Sequence, residues 1–312
     1  MSILVTGSLA IDHIMVFPDR FKNHILPDRI QMLNVSFAAP TLHKSFGGTA
    51  GNIAYHLRLL GEDPLVLATV GSDFGDYAAW LDRCGVRRSG IRVLGDAFTA
   101  QCFITTDLDD NQIAAFHPGA MDRAHEARLE DVTEPIELGI VAPNGKQAML
   151  DHAAGLRARG LPAVIDPGQG LPLFSGEELL ALLDGGSVYV VNDYEWAVTR
   201  ERTGLDEDAI SRRVGALVVT RGERGSWIRQ GDRRLEIPPV RAGRVVDPTG
   251  CGDAYRAGLL AGLRQGRPLE VAGRMGSLLG ALKVAQQGTQ SLALRPEEFR
   301  TRFHGEFGFS LG

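Results

Sequence analysis

Cysteine is scarce in this 312-residue chain, where Cys84, Cys102 and Cys251 stand far apart without any C-x-x-C pairing. An odd, scattered set supplies neither a disulfide framework nor a zinc site, so a reducing cytoplasm is the expected home. A basic stripe is missing too. Lys and Arg number 33 against 38 Asp and Glu, a formal charge of -5 with the signs interspersed, which argues against nucleic acid as a partner. The run MSILVTGSLAIDHI has no basic residue before its apolar stretch and is soon broken by Asp12, so it reads as a buried first strand and not as a signal peptide or membrane span. No membrane partner is expected. No Pro/Ser-rich linker divides the sequence, and with 44% hydrophobic and 23% charged residues it reads as one globular domain over 1–312.

Several catalytic signatures are also missing. A P-loop needs G-x-x-x-x-G-K-[ST], but Gly139 and Gly145-Lys146 are one residue too far apart and Gln147 follows. There is no G-x-S-x-G elbow, and the eight histidines contain no H-E-x-x-H or other metal spacing.

What is present is an alternation of strand-length apolar runs with helix-length periodic segments, the pattern of a mostly parallel, doubly wound α/β sheet covered by helices on both faces. The expected strands are Ile3–Gly7, Pro64–Val70, Leu138–Ala142, Ala163–Asp166, Val188–Val191 and Ala216–Thr220. The helices between them include Thr49–Leu60, Tyr77–Cys84, Lys146–Ala158 and Gly176–Leu183, with two long Gly/Ala-rich helices at Cys251–Gln265 and Leu269–Ala285. Two stretches, about 12–46 and 97–118, break the rhythm. The second alternates as FTAQCFITTDLDDNQIAAF around a polar tip, which predicts an antiparallel hairpin, and both stretches are assigned to a small β-sheet lid.

The string Asp247-Pro248-Thr249-Gly250-Cys251-Gly252-Asp253 follows a short expected strand, Arg244–Val246, and opens a helix. Gly250, Cys251 and Gly252 at a helix N-terminus would aim backbone N–H groups and the positive helix dipole at one point, which suits a phosphoryl group gathering charge. Asp253, one step into the helix, would accept the proton of a hydroxyl attacking beside that anion hole. A Gly-rich N-cap with Asp253 serving only the helix dipole is the plain alternative.

The whole string resembles the D-T-x-G-A-G-D signature of the PfkB family, the ribokinase-like carbohydrate and nucleoside kinases, with Pro248 and Cys251 as departures from it. The resemblance implies an ATP-dependent kinase with Asp253 as base. The family's diglycine appears as Gly47-Gly48, a hinge between lid and core. Asn52 and Asp12 look like its substrate-binding pair, a carboxylate being able to accept from two vicinal hydroxyls at once. Asn192-Asp193-Tyr194-Glu195 resembles its N-x-x-E motif, in which hard oxygens one helical turn apart hold Mg²⁺ near the nucleotide phosphates. The same residues make an ordinary capping box, and both readings stand. Thr220-Arg221-Gly222-Glu223-Arg224-Gly225 resembles the T-x-G-x-x-G nucleotide loop, with Arg221 offered to a phosphate. Asp247 occupies the position of a carboxylate that helps hold a monovalent cation in many relatives, so K⁺ activation is an open expectation.

The residues after the diglycine lie nearer the nucleoside-kinase branch than the ribokinase one, and the lid segment Asn111–Met121 looks like bacterial adenosine-kinase-like members. The resemblance therefore implies phosphorylation of a nucleoside 5′-hydroxyl, with adenosine leading and a sugar kinase of the ribokinase or fructokinase type as the alternative. A ligand-binding protein that kept the fold without catalysis is a third reading. Sugar phosphates would call on basic residues such as Arg29, Lys44 and Arg123. Phe103 and Phe116 would stack on a base if they face the cleft; otherwise they pack the lid or meet a second subunit's lid.

Overall fold

The computed structural model describes residues 2–25, 34–109 and 111–311, so Arg29 and part of the first lid stretch lie outside it. The strands are β1 (Ser2–Thr6), β2 (Ala10–Val16), β3 (Thr41–Gly47), β4 (Pro64–Gly71), β5 (Ile91–Leu94), β6 (Ala100–Thr106), β7 (Gln112–His117), β8 (Ile136–Val141), β9 (Ala163–Ile165), β10 (Val188–Asn192), β11 (Leu217–Thr220), β12 (Ser226–Gln230) and β13 (Arg233–Ile237). The helices are α1 (Thr49–Leu59), α2 (Gly75–Arg83), α3 (Lys146–Ala158), α4 (Gly176–Leu183), α5 (Asp193–Thr203), α6 (Glu207–Arg213), α7 (Cys251–Arg264), α8 (Leu269–Val284) and α9 (Pro296–Phe307).

Nine strands form one sheet in the order β13-β12-β11-β10-β9-β8-β1-β4-β5. Pairing is parallel from β5 through β11, and β12 and β13 close one edge antiparallel. Every residue of β1 is buried, because helices cover both faces; this is why the strand reads as one apolar run. Ile3 and Val5 pack with Ile53 and Leu57 of α1, Leu259 of α7 and Leu279 of α8. Leu4 points the other way, into a second core with Leu156 of α3 and Leu182 of α4. The doubly wound reading of the sequence matches this sheet.

The small residues of the last long helices have the expected packing reason. A side chain on Gly258 of α7 would stand 2.6 Å from Met275 O of α8, and one on Gly262 would stand 2.6 Å from Ala272 Cβ. Overfilling such a contact costs about 1–3 kcal/mol.

The lid is a separate sheet in the order β3-β2-β6-β7. Its β6–β7 pair is the antiparallel hairpin read from the sequence, while β2 and β6 run parallel. At the hairpin tip Asp107 accepts from the backbone N–H of Asp109 and of Asn111, both at 2.9 Å, a turn-forming use of a short carboxylate. The lid begins at Ala10, two residues before the sequence expectation, so Asp12 lies within a lid strand.

One expected strand is absent. Arg244–Val246 forms no strand: Val245 is exposed, and the N–H groups of Val246 and Asp247 donate to Val284 O at 2.8 and 3.1 Å, tying the segment to the end of α8 instead of to a sheet edge.

Candidate active site

Parallel strands bring their carboxyl ends to one edge, and the chain leaves that edge through the very segments that carry the motifs. β9 delivers Asp166, β10 delivers Asn192, β11 delivers Thr220, and the N-terminus of α7 carries Gly250 to Asp253.

Gly250 caps α7 in the left-handed region, with φ of +77°, which a residue with a side chain adopts at a cost. Cys251 N–H closes the turn onto Pro248 O at 3.2 Å, and Ala254 N–H begins the helical ladder on Gly250 O at 2.9 Å. Between them lie the amides of Gly252 and Asp253, first-turn donors that a helix leaves without an intrahelical acceptor. With Gly252 exposed, these amides are free to donate to an anion, the arrangement of a candidate anion site.

Asp253 is placed by side chains from three other helices or loops. Asn52 Nδ2, on α1, donates to its Oδ2 at 2.7 Å. Gln290 Nε2 donates to Asn52 Oδ1 at 3.1 Å and to the Tyr77 hydroxyl at 2.7 Å, and Trp80 Nε1 donates to Gln290 Oε1 at 2.7 Å. Tyr77 in turn donates to Gly47 O at 2.7 Å, linking Asp253 to the diglycine. Burial pushes Asp253 up to about 7, against the Asn52 bond and the charge of Arg256, which act to lower it. A carboxylate poised near neutrality suits a general base. Asn52 was expected to meet substrate hydroxyls; its amide is committed here to Asp253 and Gln290. Gln290, Tyr77 and Trp80 were not read from the sequence, which holds no local signal for them.

Behind the Gly250–Gly252 turn lies a buried ion cluster that the sequence does not announce. Arg256 is on α7 three residues after Asp253; its Nη2 donates to Asp166 Oδ1 at 2.8 Å and its Nε also bonds Asp166, while Glu195 Oε2 stands 4.0 Å from Nη2. Both Asp166 and Arg256 are nearly inaccessible. A side chain on Gly252 would lie 2.8 Å from Arg256 Nη1, so Gly252 faces this guanidinium. An Asp directly after a buried strand was the one available signal.

Asn192 and Glu195 form the capping box of α5: Asn192 Oδ1 accepts from Glu195 N–H and Glu195 Oε2 accepts from Asn192 N–H, each at 2.8 Å. Burial, helped by Asp166, holds the Glu195 carboxyl above its usual range. Among the described residues no group of three or more His, Cys, Asp or Glu side chains could hold a metal ion. Mg²⁺ does not need one, since it keeps several waters and binds through one or two carboxylates plus phosphates. Glu195, 4.0 Å from the Arg256 guanidinium that lies beneath Gly252, fits that lesser requirement.

Asp247 does not fit a free monovalent cation. Its carboxylate accepts from Thr249 N–H at 2.9 Å and Gly288 N–H at 2.8 Å. Its backbone oxygen accepts from Lys283 Nζ at 2.8 Å, and that ammonium is 3.7 Å from Oδ2. A second cation on the same oxygens would stand against the first.

In the loop expected to meet the nucleotide, Thr220 Oγ1 donates to Val191 O at 3.4 Å. Arg221 is paired with Glu236 at 2.6 Å, which holds its guanidinium at the β13 edge. Gly222 has open space around it, whereas a side chain on Gly225 would strike Ile237 O, so Gly225 serves the approach of β13.

Strand register sorts the lid residues. Asp12 pairs with Cys102, and Cys102 with Phe116, so Asp12 and Phe116 share a face. His13 pairs with Phe103, one residue out of phase, which puts Phe103 on the opposite face; it stacks there on the His13 ring at 4.7 Å between centroids. The two phenylalanines therefore cannot flank one base. Burial pushes the Asp12 carboxyl up to about 6, with His13 opposing. Gly48 has φ of +82°, and a side chain there would stand 2.5 Å from Ser8 O, so the lid can join the core this closely only through glycine. Lys44 and Arg123 go to ion pairs with Asp76, and with Asp96 and Glu126.

The pfkB family carbohydrate kinase model matches residues 4–295. The nucleoside kinase of Methanocaldococcus jannaschii is 33% identical over 260 residues, which is 83% of this chain and 85% of that protein. The structure of Burkholderia thailandensis nucleoside kinase in complex with inosine has a TM-score of 0.89 at 47% identity, covering 99% of both chains. The same enzyme in complex with ADP-inosine gives 0.87 at 48%, covering 99% of this chain and 97% of that one. With its ribokinase-like sheet, separate lid and glycine-rich helix start, the chain belongs to the PfkB family and is a kinase that transfers phosphoryl to a hydroxyl acceptor.

Proposed function

We propose that this kinase transfers the γ-phosphoryl group of ATP to the 5′-hydroxyl of a nucleoside, releasing the 5′-monophosphate. The observation that carries the reading is the meeting of Asp253 with the Gly250–Gly252 turn at the sheet's carboxyl edge, beside a lid whose inner face bears Asp12. The relatives support the nucleoside, since the B. thailandensis enzyme binds inosine and ADP-inosine at 47–48% identity.

In this mechanism Asp253 Oδ1, the oxygen opposite the one bonded to Asn52, accepts the proton of the attacking hydroxyl. The Gly252 and Asp253 amides, with the helix dipole behind them, stabilise charge on the transferring group. Arg256 adds a fixed positive charge beneath Gly252, and Asp166 keeps it from swinging toward the phosphate. Mg²⁺, held by Glu195 through water, would neutralise the nucleotide phosphates when bound. Asp12 accepts from the ribose diol, and the lid, closing at Gly47-Gly48, keeps water from competing with the acceptor. Phe116, on the face of Asp12, is the lid aromatic available to the base.

The opposite lid face exposes Leu42, Phe103 and Ile113, and by register these three lie on one side. These exposed apolar side chains, on a face shared with His13 and Lys44, support pairing with the same face of a second copy. Among the described residues no helix is long and apolar enough to cross a membrane, and the three unpaired cysteines support a cytoplasmic location.

The test is ATP consumption against inosine, adenosine, other nucleosides, ribose, fructose and fructose phosphates. Nucleosides should give the highest kcat/KM, with adenosine as one arm. Efficient turnover of a free pentose or hexose with none of any nucleoside would overturn the proposal and leave the sugar kinase.

A further inference from the structure

Lys283 is the most deeply buried charged side chain near the reaction centre, with no accessible surface. Removing an ammonium from water is costly unless it is paired and hydrogen-bonded, so its surroundings indicate what it is for. It sits in the last turn of α8, where the negative end of the helix dipole favours a cation. Its Nζ donates to Asp247 O at 2.8 Å and lies 3.7 Å from Asp247 Oδ2. The same Asp247 anchors the turn into the anion site: its carboxylate accepts from Thr249 N–H and Gly288 N–H, and its carbonyl also lies 3.8 Å from Cys251 Sγ. Val284 O, next in α8, takes the N–H groups of Val246 and Asp247. The neighbouring His56 is buried and driven down to about 4 by burial, with Lys283 adding to the effect, so it stays neutral and leaves the positive charge to the lysine.

We propose that Lys283 is the built-in cation of this active site: its ammonium clamps the Asp247–Gly250 turn from behind, and phosphoryl transfer here needs no dissociable K⁺ or Na⁺. The lysine touches neither nucleotide nor acceptor, so it is a positioning residue that acts through the Asp247 carbonyl and carboxylate on the amides of Gly252 and Asp253. A covalently tethered charge cannot be lost at low ionic strength. This inference rests on the kinase reading for its rate consequences and on geometry alone for its binding consequences.

Two measurements test it. The parent enzyme is assayed at constant ionic strength with K⁺, Na⁺ or tetramethylammonium as the sole monovalent cation, and its thermal melt is recorded in the same series. Rates should agree within about twofold, and the melt should show no rise specific to K⁺. In Lys283→Ala, kcat should fall by about 10²-fold, the scale of a small misplacement of reacting groups, with KM for the nucleoside nearly unchanged. Added K⁺ or NH₄⁺ should restore part of that loss saturably and raise the variant's melting temperature. Lys283→Met tests the charge with the stem retained, and should lose rate without rescue. A tenfold K⁺ stimulation of the parent, a K⁺-specific rise in its melt, or a folded Lys283→Met with parental kcat would each overturn the proposal. Were the variants not to fold, the parent's cation series would decide; were no acceptor phosphorylated, the kinase proposal would fail while the melts still tested the cation.

Discussion

Gln290→Leu interrogates the hydrogen-bond chain that orients Asp253, the proposed base. The Trp80 indole can only donate, so Gln290 must turn its oxygen to Trp80 and its nitrogen to Asn52 and Tyr77. That fixes Asn52 with its oxygen toward Gln290 and its nitrogen toward Asp253 at 2.7 Å. Asn52 and Gln290 are 5% and 8% exposed, so water does not readily replace a lost partner. With leucine in place, Asn52 Oδ1 is left unpaired at a cost of about 1–3 kcal/mol, and the amide gains by rotating its oxygen away from the apolar side chain, toward Asp253. An oxygen facing a carboxylate disfavours ionisation. A hydrogen bond to a charged group is worth about 1.5–3 kcal/mol, so its loss should raise the Asp253 pKa by about one to two units. The other groups acting on Asp253, namely Arg256, Asp166 and Lys283, stay in place. The assay is the pH dependence of kcat/KM for the nucleoside. In the parent the acid limb should fall near the value of about 7 to which burial brings Asp253. In the variant it should move up by about a unit, with a plateau lowered about tenfold. An unmoved limb in a variant with parental circular dichroism would refute the reasoning and reduce Gln290 to packing.

Three further outcomes are expected. Asp253→Asn should lower kcat by about 10²–10⁴-fold with nucleotide affinity retained; because the folded carboxyl titrates above an unfolded aspartate, its ionised form costs stability as pH rises through about 7, so the same variant should melt higher than the parent at pH 8 and much less so at pH 4. Gly252→Val should abolish turnover and also lower the melting temperature, because its side chain would press on Arg256, 2.8 Å away, and not merely on the phosphate space; an active, equally stable variant would remove Gly252 from the anion site. Asp12→Ala should erase most of the preference for a ribonucleoside over its 2′-deoxy form, about one to two decades in kcat/KM, with Phe116→Ala raising KM for the nucleoside and Phe103→Ala leaving it unchanged.

Much of the scaffold was legible because its signals are local. Buried parallel strands are continuous apolar runs, helix starts carry their own caps, and the Gly250–Gly252 turn with Asp253 is contiguous in the chain. The strand read at Arg244–Val246 misled because two valines suit a strand, while the N–H groups of Val246 and Asp247 are taken by Val284 O.

The sequence by itself determined the fold class, the family and the lid, and it singled out Asp253 as the proposed base, since each depends on residues within a turn or two of one another or on the order of short motifs. Tertiary structure alone decided what surrounds Asp253 and which way the lid residues face. Asp166 and Arg256 are 90 residues apart, Asn52 and Asp253 are 201 apart, and Lys283 reaches Asp247 across 36. Such pairings leave no trace in local periodicity. The facing of Phe103 and Phe116 likewise turns on register: a shift of one residue carries a side chain through the sheet, and only the paired backbones of β2, β6 and β7 set that register.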